Sequence, residues 1–514
     1  RYTGGRLSPV AIRNYIAYAR DVCPSLKYVL LAGSGHYDYR GINPKLGKNY
    51  IPPFEKEDAV TEDFFAALDS GEVVRYGNYD LDLAVGRIPV SSVEEFSDYI
   101  QKAKDYEEVG TFDHGAWRSN LLLSADDADN GGSLDVTKHS YLQEQVALAI
   151  DSLYEKTKFK YNLKKVYLIT YPSDAAGQKK EAANDFIDAL NQGSLMTSYF
   201  GHGSKTDWAA EGLLKPSYIS RLSNKKRYTI LNSFSCTVGR FDEGQVRSLS
   251  EEFLLAKGVG SIASVGAARE TFASYNQVMG RGFMVNSLGE SGARIGDALV
   301  KAKNTVVSGY SEQRYNNEHY LLLGEPVIQM MNPSIKISFD QSLDTIKGLD
   351  NMKISGSVEG LQNGIINISI NEGNFLRRLP TFVEKDSIDV SFYGTLIYSQ
   401  EVPVRGGRFE TNFITPRKIN YGDTAAELNA WVYSSDIRDI GATARRGIAI
   451  SGISSYADSI NDVTPPTIEI QSCYSNGVPT SFADNQKIQL QSPACLQIVI
   501  QDSTALDFRE QADE

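Results

Sequence analysis

Two residues able to carry nucleophilic catalysis stand just beyond two apolar runs. His202 lies in Tyr199-Phe200-Gly201-His202-Gly203-Ser204, after the run 194–200, and Cys236 lies in Asn232-Ser233-Phe234-Ser235-Cys236, after the run 227–232. Both runs read as buried strands. In an open α/β sheet, sites form beyond the carboxyl ends of strands, and neighbouring strands lie about 5 Å apart. Side chains just past adjacent strand ends then share a cleft, as a thiol nucleophile and an imidazole base require. The glycines flanking His202 leave it unpacked and let the backbone turn. The Gly203 and Cys236 amides are candidates to hold the oxyanion of a tetrahedral intermediate. The plainer reading is a loop histidine and a buried cysteine, the ordinary fate of a free thiol.

An acidic loop, Ser124-Ala125-Asp126-Asp127-Ala128-Asp129-Asn130-Gly131-Gly132, is expected beyond another strand end on the same edge. One carboxylate there is suited to orienting His202 through its second nitrogen. Clustered carboxylates also suit Ca²⁺, but the EF-hand template fails, because Lys138 stands where that loop needs its closing Glu. A solvated acidic turn is the third reading, and all three stay open. Asp207, Trp208 and Glu211 follow His202, and Arg269 and Glu270 follow the next strand. These five are candidate walls of a substrate pocket, with Trp208 equally readable as a packing anchor. Gly33-Ser34-Gly35-His36-Tyr37-Asp38 lacks the third glycine of a phosphate-cradling G-x-G-x-x-G and reads as a tight turn. His114, His139 and His319 are isolated in sequence, and no Cys/His or H-E-x-x-H metal spacing occurs.

The elements that position these residues follow from hydrophobic patterning. Helices are expected at 9–20 (with Ser8 as N-cap), 92–106, 136–156, 178–190 and 249–256, and further strands at 26–32, 81–88, 119–124, 165–171 and 259–265. Strand–helix alternation with near-continuous apolar strands implies a mostly parallel sheet covered on both faces. Beyond Asn332-Pro333 the style changes to period-2 strands with Gly/Asn turns, which reads as an all-β immunoglobulin-like sandwich. The expected domains are 1–333, with 1–115 and 116–333 as two α/β subdomains, then 334–462, then a β module at 463–514 that reads as truncated.

The chain has 514 residues, and 52 basic against 64 acidic side chains give a net charge of −12. That balance argues against a nucleic-acid partner, whose binding face is basic. No apolar run reaches the roughly 18 residues of a transmembrane helix. The opening Arg1-Tyr2-Thr3-Gly4-Gly5 has neither Met nor an apolar signal region, so a piece of a longer or processed protein is expected. Cys473 and Cys495 are close enough in sequence to pair in an oxidising compartment.

Several segments resemble one family in the same order. YFGHGSKTDWAAEG is similar to the YTGHG…W motif of gingipain-type cysteine peptidases. FSCTVGRFDE resembles their Cys motif, in the TCEFxRFD variant of the PorU-type sortases of the type IX secretion system. LLAGSGHYD, LDLAVGRIPV, LLLSADDADNGG and HYLLLGEPVI also match, so the resemblance covers about 8–333. It implies a caspase-like fold and a His202/Cys236 dyad. Through the family's ADNG-type segment it implies Asp129 as orienting acid, with Asp127 second. No cofactor is implied as required, and a structural Ca²⁺ stays open. Ser235-Cys236, where gingipains carry Ala-Cys, and the tail Arg240-Phe241-Asp242 favour the sortase branch. That branch implies removal of the C-terminal signal domain of exported proteins and transfer of the new carboxyl end to an amine on anionic lipopolysaccharide. It also implies an outer-membrane partner of the PorV type and a place on the outer membrane's extracellular face. The alternatives are a secreted protease that only hydrolyses, and a non-catalytic surface scaffold.

Overall fold

The computed structural model describes residues 7–501 apart from 39, 58, 70–73, 75–78, 108–115, 128, 131–132, 135–137, 306–310, 381–386, 422–424, 435–439, 460–466, 476–477 and 480–493. The chain divides into two compact units. One is Arg1–Ile335 with Leu376–Ser391 and Tyr433–Ala442; the other is Lys336–Phe375 with Phe392–Val432 and Thr443–Glu514. The boundaries expected at 333 and 462 make no provision for the two later segments that belong to the first unit. Such returns leave no mark in local patterning.

The first unit alternates helices and strands in this order: α1 Pro9–Val22, β1 Tyr28–Ala32, β2 Ala84–Ile88, α2 Val93–Glu107, β3 Asn120–Ala125, α3 His139–Thr157, β4 Asn162–Tyr167, α4 Lys180–Gln192, β5 Met196–Phe200, β6 Thr229–Phe234, α5 Leu249–Leu255, β7 Ser261–Ala267, α6 Ala273–Leu288, α7 Ile295–Asn304, α8 Glu312–Glu318 and β8 Tyr320–Leu323. The strands make one sheet in the order β1-β2-β8-β7-β6-β5-β3-β4. β1 and β2 pair in parallel, as do β7, β6, β5, β3 and β4 in succession. β8 runs antiparallel to β7 and meets β2 through one residue pair, Leu323 and Arg87. The regions expected as two subdomains therefore share one sheet.

Every residue of β5, β6 and β7 is buried, so these strands are covered on both faces. Side chains alternate between the faces. Tyr199 and Leu231 join Phe186 and Ile187 of α4 and Leu249 and Phe253 of α5 in one apolar cluster. On the opposite face Ser198 bonds Gln143 of α3 at 3.0 Å, and Phe200 and Phe234 lie under Gly280 of α6. A Cβ on Gly280 would come within 2.6 Å of the Phe200 ring, so only glycine lets α6 approach this closely. α5 is fixed at both ends. Ser248 and Glu251 form a capping box, and the buried Lys102 of α2 donates to the carbonyls of Leu254 and Ala256 at 2.8 and 3.1 Å. Burial lowers the Lys102 ammonium to about 7. The predicted cap at Ser8 makes no side-chain hydrogen bond; Pro9 opens α1 instead. The run expected as a strand over 165–171 leaves the sheet at Tyr167 and tightens into a 3₁₀ turn, Leu168–Thr170, whose Leu168 carbonyl accepts from Lys179 at 2.7 Å.

The second unit is all-β. With strands β9 Ile337–Phe339, β10 Thr345–Gly348, β11 Asn351–Val358, β12 Asn363–Asn371, β13 Leu396–Arg405, β14 Arg408–Ile414, β15 Ala426–Tyr433 and β16 Gly441–Ile453, the sheet order is β9-β11-β14-β13-β12-β15-β16-β10. An immunoglobulin sandwich needs two separate stacked sheets. The strands here form one hydrogen-bonded succession, so the assignment stops at all-β. Thr467–Ser475 lies between Val478–Pro479 and Ala494–Gln501 in a small further sheet. Its register sets Cys473 opposite Leu496 and Cys495 opposite Tyr474, so the two cysteines are not direct cross-strand partners. No described helix is long and apolar enough to cross a membrane.

Candidate active site

Register brings the chemistry together. Ala125 of β3 pairs with Phe200 of β5, and Phe200 pairs with Phe234 of β6. Three parallel strands thus end at one level. Asp127, His202 and Cys236 each stand two residues beyond it.

The His202 arm is held by hydrogen bonds from below. Its backbone N–H donates to the Asp126 carboxyl at 2.8 Å, and its C=O accepts from the Tyr199 hydroxyl at 2.7 Å and from the Ala209 N–H at 3.1 Å. The Tyr199 ring stacks on Trp208, centroids 4.5 Å apart. Gly201 is obligatory, because a Cβ there would lie 2.2 Å from the Tyr199 hydroxyl and 2.5 Å from Asp126. Gly203 packs directly on the Cys236 turn: a Cβ there would lie 2.7 Å from Ser235 Oγ and 3.0 Å from the Cys236 carbonyl. The ring of His139, at the start of α3, meets the His202 ring edge to face at 5.1 Å.

The Cys236 arm is held by a strained turn. Val238 N–H donates to the Cys236 carbonyl at 2.7 Å, across Thr237 with φ 54°. This is the rare, strained form of the γ-turn, on a β-branched residue that avoids positive φ. The half-buried Cys236 sulfur is not in a disulfide. It accepts from the Thr271 N–H at 3.4 Å and lies 3.5 Å from the Thr271 carbonyl. The tail behind it is built in: Phe241 lies under the Arg87 guanidinium at 4.6 Å, and Asp242 grips Arg269 with two bonds of 2.7 and 2.9 Å.

Gly203 and Trp208 face each other in a bridge whose hydrogen bonds come from the Ser204 and Ala209 amides. Among the described residues, no hydrogen bond uses the Gly203 or Cys236 N–H. Those are the two amides the sequence nominates for an oxyanion.

The remaining candidates fall in different places. Asp129 belongs to a short hairpin, Asp129–Asn130 with Ser133–Leu134, and its side chain is outside the described residues. Asp127 is buried and ion-paired with Lys179. The acid that reaches the His202 arm is Asp126, the first residue past β3, and it touches the backbone. Burial, with Glu211 and Asp127 alongside, pushes the Asp126 carboxyl well above the usual carboxylate range, against the opposing pull of the His202 N–H. The oxygens of Asp126, Asp127 and Glu211 lie within 4.8 Å of one another. Carboxylate oxygens grouped this closely are of the type a hard cation takes, and a cation there would compete with Lys179 for Asp127.

Of the two readings of Trp208, pocket wall and packing anchor, its burial favours the second: it has no exposed surface and packs against Tyr199 and Phe186. Glu211 is likewise buried, within the acidic cluster. Asp207 is half-buried and caps its own loop through Ser204 and Thr206. Arg269 is engaged by Asp242. Glu270 has an exposed side chain, while its carbonyl contacts His319 Nδ1 at 2.8 Å. His114 lies outside the described residues. His139, isolated in sequence, sits against His202. Sequence reasoning missed Asp126, Tyr199, His139 and Thr271. Only Asp126 carried a signal, its place directly after a strand.

The model of peptidase family C25 matches residues 1–331. Lys-gingipain W83 of Porphyromonas gingivalis is 24% identical over 218 residues, 42% of this chain and 11% of its own length. Gingipain R2 of the same species is 27% identical over 216 residues, 42% of this chain and 24% of its own length. The chain thus spans a quarter or less of these relatives. Among solved structures, the Arg-specific cysteine proteinase gingipain R aligns over 87% of this chain and 89% of its own, with TM-score 0.48 and 15% identity. Dimeric latent PorU from Porphyromonas gingivalis aligns over 92% of this chain and 41% of its own, with TM-score 0.33 and 17% identity. With the family model matching well over half its length, the chain belongs to peptidase family C25, the gingipain family of cysteine peptidases.

Proposed function

We propose that the chain is an endopeptidase in which Cys236 is the nucleophile and His202 the general base and acid. His202 takes the thiol proton, and the Cys236 sulfur attacks a peptide carbonyl carbon. The Cys236 and Gly203 amides receive the negative charge on the oxygen. The carbon–nitrogen bond breaks as His202 returns the proton to the leaving amine, leaving a thioester on Cys236. Water or another amine then attacks the thioester and restores the thiol. Asp129 is the proposed orienting acid, with Asp127 the weaker choice, since Lys179 already holds it. The observation that carries this reading is the common level of Phe200 and Phe234, with Gly203 seated on the Ser235-Cys236 turn. Cys236→Ala should abolish cleavage while the thermal melt stays unchanged. Cleavage surviving in that variant refutes the assignment.

Within this reading, the Arg240-Phe241-Asp242 tail favours the sortase branch: removal of a C-terminal signal domain from exported proteins, followed by transfer to an amine of anionic lipopolysaccharide. A PorV-type partner and the extracellular face of the outer membrane belong to the same proposal. Mass analysis of the product's new C-terminus separates transfer (a conjugated amine) from hydrolysis (a free acid). A thiol-reactive peptide ketone tests the non-catalytic alternative: a folded protein whose Cys236 stays unlabelled at neutral pH favours a scaffold.

A further inference from the structure

A cavity of about 340 Å³ opens where the turn after β1 meets the chain that follows Cys236. It is lined by Ser34, Gly35 and His36 on one side and by Gly244 to Arg247 on another, with Lys45 and Lys48 at its edge. Gly35 is pressed on its neighbours: a Cβ there would lie 2.0 Å from the Ile51 carbonyl. His36 is only 3% exposed, yet neither ring nitrogen has a hydrogen-bond partner among the described residues. A buried polar group left unmatched costs about 1–3 kcal/mol. The peptidase reading makes no use of this imidazole.

Charge indicates what would match it. Lys45 and Lys48 are exposed, with Lys48 Nζ 4.6 Å from the Tyr50 ring centroid. Arg247 is ion-paired with Glu95. The one carboxylate in the lining, Glu251, accepts from the Ser248 N–H at 2.8 Å and hydroxyl at 2.9 Å. Burial pushes it up to about 7, so it opposes an anion only weakly. We propose that this cavity binds a phosphate-type oxyanion, as inorganic phosphate or as the monoester of a small ligand, with the His36 ring turning from beside the Asp38 carboxylate to bond it and Lys45 and Lys48 closing over it. The site adjoins the nucleophile's supports. Tyr37 N–H donates to the Asp242 carbonyl at 3.1 Å, Asp242 holds Arg269, and the Arg269 carbonyl accepts from Thr237 N–H at 3.2 Å.

Calorimetric titration of the whole chain with sodium phosphate, and separately with glycerol 1-phosphate, tests this at fixed ionic strength. Saturable one-to-one binding is expected. Binding of both ligands identifies inorganic phosphate as sufficient, and binding of the monoester alone identifies the esterified form. His36→Leu should weaken binding by about tenfold or more, the loss of one charge-assisted contact. Lys45→Glu/Lys48→Glu, at exposed positions that do not test folding, should weaken it at least as much. Peptide cleavage by both variants should stay near wild type, which separates this proposal from the catalytic one. No saturable binding of either anion up to about 10 mM, or affinity unchanged in both variants, overturns it.

Discussion

The two arms of the site leave neighbouring strands at the same level but are held by opposite means. The His202 arm keeps Gly201, His202 and Gly203 out of the left-handed region, and its nearest positive φ is at Ala209 in the return turn. Its position comes from partners elsewhere in the chain: Asp126 from another strand, and Tyr199 stacked on Trp208. The Cys236 arm carries its strain in the next residue, Thr237, and is fastened by Val238, Thr271 and Arg269. The proposed base, His202, is positioned by hydrogen bonds to its backbone. The proposed nucleophile, Cys236, precedes a backbone position forced out of its preferred region at Thr237, the kind of strain that collects at functional sites.

The largest predicted effect comes from forcing the arms apart. Gly203→Ala puts a methyl against Ser235 Oγ and the Cys236 carbonyl, and should lower kcat/KM by about 10²-fold, the penalty of an ångström-scale misplacement. Assays on the folded variant check this. Breaking only the supports of the His arm should matter less. Asp126→Ala strands the His202 N–H and should reduce activity about tenfold and stability by about 1–3 kcal/mol. Asp126→Asn should stay near wild type if Asp126 works as a neutral group. A full loss in Asp126→Asn would show that its charge is needed.

A third test lies beneath the Cys arm, where Ser250 N–H donates to the Val238 carbonyl from the helix that Glu251 caps. The Glu251 carboxyl is raised to about 7, first by burial. The folded state therefore binds a proton that the unfolded state has already lost. Stability should be highest below the unfolded value of 4.5 and fall as pH rises to about 7, by on the order of 3 kcal/mol. Glu251→Gln should flatten that fall in melts between those pH values. The smallest effect belongs to Thr237→Asn. Asn tolerates positive φ better than Thr, so the melting free energy should rise by about 1 kcal/mol. No gain would mean the turn is not strained.

Much of the scaffold was legible because strands buried on both faces leave continuous apolar runs, and glycines mark where chains turn close to one another. His202 and Cys236 could be singled out from their places after two such runs. Neighbour relations were not legible. Local patterning gives the faces of a strand, whereas register across strands depends on a sheet order that does not follow the chain. That is why Asp126 went unchosen among three nearby aspartates, why His139 read as isolated, and why Trp208 could be read either as a wall or as the packing anchor that its ring, lying on Tyr199, proves to be. The later segments that belong to the first unit, Leu376–Ser391 and Tyr433–Ala442, were hidden for the same reason.

The central claim is that the Cys236 sulfur and the His202 ring act as one unit. The rate of Cys236 alkylation by a peptide chloromethyl ketone tests it most directly, in wild type and His202→Ala. Both proteins should carry Cys23→Ser, since Cys23 is an exposed free thiol, and the modified residue should be mapped by mass. The account predicts rapid labelling at neutral pH, lowered about 10²-fold or more without the imidazole. Equal rates in the two proteins would contradict it.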